Sequence, residues 1–227
     1  MTLACAECPV RARAACSVLS ENERGELARA GHTRRLARGQ MLFAAGDEGA
    51  ACATLISGAL KVTSNDAEGN ERILALVHPA GFVGELFAPF SSYDVVALTD
   101  SELCVFAKTD MSGALSSYPQ LAQALLRRSE EDLHRSRELL ALDSRTSATA
   151  RVGALILAMA QAASTSPCHP ADSFELPLTR GEIANMLGLT IETVSRSITR
   201  LEQHGAIERK GARGIVMIDP ARISHVG

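Results

Sequence analysis

The sequence of 227 residues lacks several features that would place it in a membrane or assign it a reaction. No apolar run approaches the roughly 18 residues that a membrane-spanning helix needs. The first residues show no cationic flank followed by an apolar stretch, so no secretion signal is expected. No Ser–His–Asp set, phosphate-binding loop or dinucleotide fingerprint occurs. We therefore expect a cytoplasmic protein that has no membrane partner and is not an enzyme.

The composition indicates a folded chain of one large or two modest domains. Hydrophobic residues make up 46% and charged residues 22% of the sequence, which favours a buried core over disorder. The net charge of −3 is unevenly distributed. From Ser144 onward there are nine Arg or Lys and seven Asp or Glu residues, a balance of +2, whereas the remainder carries −5. The C-terminal third is thus compatible with a phosphate-facing surface.

The six cysteines are unlike a disulfide framework, because the cytosol keeps thiols reduced. Cys5, Cys8 and Cys16 crowd into the first sixteen residues, with the spacing C-x2-C-x7-C. This clustering indicates metal chemistry. Cys52 lies in an apolar run and is interpreted as a small core residue, and no role is assigned to Cys168.

A short predicted helix and then a predicted β-rich region follow the cysteine-rich start. Ser20 can cap a short helix that runs to Ala30, with Glu23 completing a capping box. From Arg34 to about Phe106, short apolar runs alternate with glycine-containing turns. Strands at this spacing predict a compact β-roll or sandwich.

A long helix is predicted from Pro119 to about Leu142, a stretch without an internal glycine or proline. One leucine stripe can cover the β-roll, and a second, repeating every seven residues, can meet an identical helix. The predicted dimer interface consists of Leu126, Leu133, Leu140, Ser129 and Ser136. Because serine is a poor zipper residue, this seam should hold a dimer only weakly. The alternative is a single long surface helix packed on its own domain.

The pattern with the most local information lies between Leu178 and Gln203. Thr179 can cap a first helix, Gly188 can end it in a left-handed conformation, and Thr190 can cap a second helix. Two short helices joined by a tight glycine turn form a helix-turn-helix. The following segment, 207–218, is predicted to be a hairpin, which adds a wing.

The outward side chains of the second helix suit double-stranded DNA. Glu192, Ser195 and Arg196 project from its first turns, where they can read base edges in a major groove. Four further side chains suit the phosphates, which position a protein without reading sequence; they are Thr193, Ser197, Thr199 and Arg200. Thr190, which caps the helix, is also predicted to bind DNA. The alternative is an ordinary pair of packed helices at a domain end.

These elements together resemble the catabolite-activator and fumarate–nitrate-regulator (Crp/Fnr) superfamily over about residues 5–219. The resemblance implies an α+β fold with an N-terminal cyclic-nucleotide-binding-like β-roll, a long dimerisation helix and a C-terminal winged helix-turn-helix. The corresponding segments are a cysteine-rich stretch at 1–19, the β-roll at 20–116, the helix at 117–143 and the DNA-binding domain at 144–227.

Two branches of this superfamily can be compared residue by residue. Gly84-Glu85-Leu86 is present, but Ser91-Ser92 stands where the cyclic-AMP branch has an Arg-Ser pair that grips the phosphate. A buried phosphate needs such a charge partner, so no cyclic nucleotide is expected. Glu192, Ser195 and Arg196 are similar to the fumarate–nitrate branch. This implies a transcription regulator that binds palindromic TTGAT-type sites as a homodimer, with RNA polymerase as a further partner.

The same branch gives the cysteines a role. Cys104, in the last apolar run of the β-roll, joins Cys5, Cys8 and Cys16 in a set that resembles the ligands of an oxygen-sensing 4Fe–4S cluster. The best-known members have five residues, not seven, between the second and third ligand. Zinc and unligated cysteines are the alternatives for this set. For the whole chain, the alternatives are a regulator that senses haem, nitric oxide or another small ligand, and a thiol redox enzyme built on Cys5 and Cys8.

Overall fold

A computed structural model describes residues 5–48, 51–141, 147–164 and 169–223. The chain divides into two compact units, Met1–His134 and Arg135–Gly227. The division therefore falls within the long helix, whereas the sequence places a domain boundary after it, at residue 143. No helix among the described residues is both long enough and apolar enough to cross a membrane.

The first unit is built around a β-roll of two four-stranded antiparallel sheets. The chain enters it through helix α1, Glu21–Ala30, which Ser20 and Glu23 begin with the predicted capping box. One sheet has the strand order β1-β8-β3-β6, and the other has the order β2-β7-β4-β5. The strands are β1 Gly31–Leu36, β2 Met41–Phe43, β3 Ala51–Ser57, β4 Leu60–Asn65, β5 Glu71–Val77, β6 Phe82–Val83, β7 Asp94–Ala97 and β8 Ser101–Ala107.

The alternation of side chains along each strand separates two apolar regions of this unit. Leu103 and Val105 of β8 are buried in the interior of the roll. Cys104 and Phe106 belong to a second cluster, which also contains side chains of the helices. Because successive residues of a strand point to opposite faces, the outer face of this sheet is available to the helices and to the N-terminal segment.

Two glycines allow close approaches that a side chain would block. Gly58 has a φ of +92°, and a Cβ there would lie 2.6 Å from the carbonyl oxygen of Asp100. Gly84 has a φ of +114°, and its Cβ would lie 2.8 Å from the Cα of Cys52. Both positions require glycine because L-residues rarely adopt such backbone angles.

Two helices follow β8. Helix α2, Lys108–Ser117, was not predicted, and it is anchored by the buried Met111. Helix α3, Pro119–Ala141, matches the predicted long helix. Leu121 and Leu125 are buried in the outer cluster of the β-roll, which confirms that one leucine stripe of this helix covers the roll.

The second unit packs its helices over a small sheet. The buried faces of α4, Ala148–Ala163, and α6, Ile191–Gln203, supply much of its core. The core residues from these helices include Val152, Leu155, Ile156, Ile198 and Leu201. The sheet has the order β10-β11-β9, and its third strand was not predicted. The elements are α4 Ala148–Ala163, β9 Ser173–Glu175, α5 Arg180–Leu187, α6 Ile191–Gln203, β10 Ile207–Lys210, β11 Gly214–Met217 and α7 Pro220–Ile223.

The predicted helix-turn-helix is confirmed at each of its three signals. The Thr179 hydroxyl accepts a hydrogen bond from the Glu182 N–H, and the Glu182 carboxylate accepts one from the Thr179 N–H. Gly188 ends α5 with a φ of 60°. The Thr190 hydroxyl accepts a hydrogen bond from the Thr193 N–H and so begins α6. The hairpin of β10 and β11 forms the predicted wing.

Candidate metal centre and nucleic-acid interface

Cys104 lies on a central strand of the β-roll. Strand β8 pairs with both β1 and β3, and these ladders place Thr33 and Thr54 on either side of Cys104. The thiol is on the outer face of the sheet and is partly buried. A side chain held by two ladders has a well-fixed position, because its backbone is bonded on both sides.

The three N-terminal cysteines lie on a short segment that packs against the first unit. Cys5 begins one 3₁₀ turn, Cys5–Glu7, and Cys16 lies in another, Ala15–Val18. Between them, the Arg11 N–H donates to the Cys8 carbonyl at 3.0 Å. Val10 and Ala14 are 2% exposed and pack with Ala80, Cys8 and Cys16. Two small apolar anchors thus seat the segment that carries the cysteines.

All four predicted cysteines line a single cavity in the first unit. Its space outside protein atoms is about 610 Å³, part of which is open to solvent. Most of its wall is apolar and comes from α1, α2, α3 and the outer face of the sheet. The other lining residues are Val10, Arg11, Ala14, Ala15, Arg24, Leu27, Ala28, Thr54, Phe82, Phe106, Met111, Leu121 and Leu125.

The four cysteines are close enough that some of them shift the pKa of others. Burial and, to a smaller extent, the neighbouring Cys8, Cys5 and Cys16 together raise the pKa of the Cys104 thiol to about 12. Burial is also the main reason that the pKa of Cys16 is raised, with smaller contributions from Cys8 and Cys5. The Arg24 guanidinium acts in the opposite direction on Cys5 and Cys16. Because metals bind thiolates, binding here must release protons.

Thiolates are the donor type that both a zinc ion and a 4Fe–4S cluster take. A tetrahedral zinc site with Zn–S bonds of about 2.3 Å brings its sulfur atoms to within about 3.8 Å of one another. Within the described part of the chain, no three His, Cys, Asp or Glu side chains are grouped to hold one metal ion. A 4Fe–4S cluster distributes its four thiolates over four iron atoms. Four cysteines around one apolar cavity are therefore a suitable donor set for it.

The fifth described cysteine, Cys52, has a different environment. It is fully buried, and its thiol lies 3.8 Å from the Phe106 carbonyl oxygen. Burial raises its pKa to about 12. Cys52 is not among the residues that line the cavity, so its prediction as a core residue is confirmed. Cys168 lies outside the described residues.

Helix α6 presents a polar face opposite its buried one. Val194, Ile198 and Leu201 are at most 2% exposed. Glu192, Arg196 and Arg200 are exposed, whereas Thr193, Ser195 and Thr199 are partly exposed. This separation leaves the predicted base-reading set on the accessible side of the helix.

Hydrogen bonds organise the first turns of α6. The Arg196 guanidinium donates to the Thr193 hydroxyl at 3.3 Å. The exposed Glu192 carboxylate has a lowered pKa, because its own backbone N–H and the Thr190 hydroxyl donate to it and Arg196 lies nearby. The first turns therefore carry a charged acceptor and a charged donor side by side.

The structure corrects the prediction that Ser197 contacts phosphate. Ser197 is 3% exposed, and its hydroxyl lies 3.5 Å from that of Thr149 on α4. The reason is helical spacing, since position 197 falls between Val194 and Leu201 on the buried face. Thr199 stays on the partly exposed side, where its hydroxyl donates to the Ser195 carbonyl at 3.1 Å.

Comparisons with known proteins agree with this architecture. The family model of the cyclic nucleotide-binding domain matches residues 33–118, and that of the Crp-like helix-turn-helix domain matches residues 150–226. The chain is similar to the transcriptional activator protein FnrL of Cereibacter sphaeroides, with 31% identity over 222 residues, which cover 96% of this chain and 90% of that protein. The chain belongs to the Crp/Fnr family of transcription regulators.

Other members extend the likeness of this Crp/Fnr regulator. It is 30% identical to the nitrogen fixation regulation protein FixK of Bradyrhizobium diazoefficiens over 219 residues, covering 96% of this chain and 92% of that protein. The structure of FixK2 from Bradyrhizobium japonicum matches its fold with a TM-score of 0.76 at 22% identity, over 86% of this chain and 96% of that chain. The protein is thus a DNA-binding transcription regulator of the Crp/Fnr type and not an enzyme.

In this Crp/Fnr regulator, the loop at Ser91 and Ser92, in the region that resembles a cyclic-nucleotide site, is held by hydrogen bonds within the chain. The Glu85 carboxylate accepts a hydrogen bond from the Ser92 N–H at 2.5 Å. The Ser91 N–H donates to the Asp47 carbonyl at 2.9 Å, and the Gly46 N–H donates to the Ser91 carbonyl at 2.8 Å. Ser91 and Ser92 thus hold this loop without contributing a cationic side chain.

The second stripe of α3 leaves apolar surface uncovered in the single chain. Leu126 is 64% exposed and Leu133 is 50% exposed. Ser129 lies on the surface between them, and its hydroxyl donates to the Leu125 carbonyl at 3.1 Å. Ser136 is partly exposed. Leu140 belongs to the same helix, but its side chain lies outside the described residues.

Arg24 was not among the predicted site residues. This residue of α1 is only 7% exposed and lines the cavity with the four cysteines. Its position three and four residues before Leu27 and Ala28 places it on the buried face of the helix. That spacing is visible in the sequence, and it is the signal that could have revealed this residue.

Proposed function

We propose that this Crp/Fnr regulator responds to oxygen through a 4Fe–4S cluster held by Cys5, Cys8, Cys16 and Cys104. One observation carries the proposal, namely that cysteines from two distant parts of the chain line one apolar cavity. The names of the relatives do not carry it, because identity to FnrL and to FixK is nearly the same, at 31% and 30%.

These four cysteines would hold the cluster, which when bound would supply an oxygen-sensitive redox group. The chain's own residues provide two separate attachments, Cys104 on the sheet and the other three thiols on the N-terminal segment. Binding all four would fasten that segment to the β-roll. Leu121 and Leu125 of α3 line the same cavity, so the state of the segment can bias the helix that carries the exposed leucines.

The test begins with protein purified without air. We expect a brown protein with iron and inorganic sulfide in equal amounts, whose visible absorbance bleaches on exposure to oxygen. Replacement of Cys104 with serine should abolish this absorbance and the anaerobic binding to operator DNA. Cys52→Ser is the matched control, because it removes a neighbouring buried thiol that does not line the cavity, and it should retain both.

Two results would count against the cluster. A colourless wild-type protein that binds DNA equally well with and without air would leave a regulator of another signal, such as haem, nitric oxide or a small ligand. Stoichiometric zinc without sulfide would favour a structural metal site instead.

We also propose that a homodimer reads a palindromic TTGAT-type site, one half-site for each protomer. Glu192, Ser195 and Arg196 supply the donors and acceptors for base edges, and the exposed Leu126 and Leu133 supply the self-complementary apolar stripe. Fluorescence anisotropy with operators mutated in one or both half-sites tests this. Affinity should fall stepwise with each altered half-site, and equal affinity for scrambled DNA would contradict it.

Two further partner predictions follow. RNA polymerase is proposed as a partner at promoters, and it should be co-recruited to operator-bearing DNA in a footprint with purified components. Cyclic nucleotides are proposed not to bind, because the Glu85 carboxylate is already engaged by the Ser92 N–H and no arginine stands at 91 or 92. Calorimetric titration with cyclic AMP should therefore give no heat of binding.

A further inference from the structure

A buried arginine lies beside the four cysteines. Arg24 is 7% exposed, lies on the inner face of α1 and lines the same cavity as the thiols. A long cationic side chain is rarely buried to this extent unless it has a partner. Its contacts therefore indicate what it does there.

The guanidinium is bonded to the backbone of the segment that carries Cys16. Its Nε donates to the Cys16 carbonyl at 3.3 Å, and its Nη2 donates to the carbonyls of Ser17 at 3.5 Å and Leu19 at 2.7 Å. The first two acceptors belong to the second 3₁₀ turn, Ala15–Val18, and the third belongs to Leu19, the residue that ends it. The guanidinium reaches them with two nitrogens at a fixed separation, whereas the donors of a lysine all lie on one nitrogen, which cannot occupy both positions.

The charge of Arg24 has no carboxylate partner among the described residues, taking 4.0 Å as the limit for an ion pair. Arg11, which lines the same cavity, does have one, because its guanidinium lies 2.5 Å from the Glu21 carboxylate. A buried charge without a counter-ion is strongly unfavourable. The carbonyls satisfy the hydrogen bonds of Arg24, whereas Glu21, which feels its charge at longer range, already pairs with Arg11. Thiolates in the cavity would supply a further counter-charge.

We propose that Arg24 is a positioning residue of the metal centre, which fixes the turn that carries Cys16 and supplies a buried positive charge facing the cysteine ligands. The charge-balancing part rests on the cluster proposed above, because a thiolate-ligated cluster is anionic. The part that concerns the turn applies equally to the protein without metal. The two parts can therefore be tested separately.

The first experiment uses metal-free, full-length protein and limited proteolysis. A protease that cuts after small and aliphatic residues, with cleavage sites identified by mass spectrometry, reports access to the segment from Val10 to Leu19. Arg24→Met and Arg24→Lys should both be cut faster there than wild type, because neither can hold three carbonyls. Arg29→Met is the matched control and should be cut at the wild-type rate, since Arg29 is an exposed arginine of the same helix that does not line the cavity.

The second experiment uses anaerobically reconstituted protein and measures iron loss to a chelator together with the reduction potential. Partners outside the ligand shell typically change metal affinity 10- to 100-fold, so Arg24→Met should lose iron roughly 10- to 100-fold faster. Its potential should become more negative, because removal of a positive charge disfavours the addition of an electron. Arg24→Lys keeps the positive charge, so the reduction potential of its cluster should lie closer to that of wild type than the potential of Arg24→Met does. The turn that carries Cys16 should stay loosened in both variants.

The outcomes separate this inference from the proposed function. Wild-type cleavage and wild-type iron retention in both Arg24 variants would overturn it. If the methionine variant does not fold, the lysine variant makes the same comparison. If wild type takes up no iron and sulfide, the cluster proposal and the charge-balancing role fail together, whereas the cleavage pattern still decides whether Arg24 positions the turn.

Discussion

The exposed leucines of α3 allow the proposed dimer to be tested quantitatively. Leu126 is 64% exposed in the single chain. Full burial of a leucine contributes about 2 kcal/mol, so burial of the exposed part, less the methyl that alanine retains, amounts to about 1 kcal/mol per protomer. Two-fold symmetry doubles this to about 2 kcal/mol, which corresponds to a roughly 30-fold weaker dimer for Leu126→Ala. Leu133 is 50% exposed, and its replacement should weaken the dimer roughly 10-fold by the same reasoning.

Sedimentation equilibrium over a range of protein concentrations measures these dissociation constants. Leu74→Ala is the control, because Leu74 is also exposed, at 37%, but lies on β5 and outside the stripe. Its dimer should dissociate like wild type. Unchanged dissociation in both α3 variants, or an equal loss in the control, would refute the assignment of this seam.

Three other comparisons address the helix-turn-helix and the wing, one of them with a control on α2 of the first unit. Gly188→Ala should lower the free energy of unfolding by about 1–2 kcal/mol in urea titrations, because a φ of 60° disfavours a side chain. The control is Gly113→Ala, in a helix with open space around it. It should raise the free energy of unfolding by about 0.5–1 kcal/mol. In anisotropy titrations, Arg196→Ala should lose about 1–3 kcal/mol of discrimination at one base pair. Arg200→Ala should instead weaken binding to all sequences and reduce the slope of log affinity against log salt concentration by about 1. The reverse pattern would mean that Arg200 reads a base and Arg196 contacts a phosphate. The pKa of Glu202 lies below its ordinary value of 4.5, because the Arg209 side chain and N–H donate to its carboxylate. The ionised carboxylate therefore stabilises the fold fully above pH 4.5. This stabilisation is lost as the pH falls through the lowered pKa. Melting curves of Glu202→Gln and wild type should therefore differ near neutral pH and converge in acid, and a constant difference would contradict this.

Much of the architecture was predictable because local signals and tertiary packing agree. Ser20, Thr179 and Thr190 each cap a helix as predicted, and Gly188 takes the left-handed conformation that its position required. At these positions the side chain bonds to its own backbone neighbours, so a short stretch of sequence contains the whole interaction. Their agreement with the buried faces of α5 and α6 explains why the helix-turn-helix was found.

The misses arise where distant residues decide the outcome. Helix α2 contains several serines and a glycine, which are weak helix formers, and burial of Met111 against the β-roll stabilises it. Ser197 was interpreted by its polar hydroxyl, although its spacing places it on the buried face against Thr149. Arg24 was overlooked because a cation in a charged helix is usually exposed, and its acceptors become visible only once the N-terminal turn is folded beside it.

The placement of the cysteines on two kinds of backbone has a consequence for local opening. Strand β8, which carries Cys104, exchanges hydrogen bonds with neighbours on both sides, so its amides should open to solvent only when the whole unit unfolds. The turns that carry Cys5 and Cys16 are 3₁₀ turns of three and four residues, and such short elements open at much lower free energy. A ligand bound by both the strand and the turns would therefore make the turns open to solvent almost as rarely as the sheet does. Loss of the ligand should therefore speed amide hydrogen exchange in the residues before Leu19. It should leave the protection of the amides of β8 unchanged.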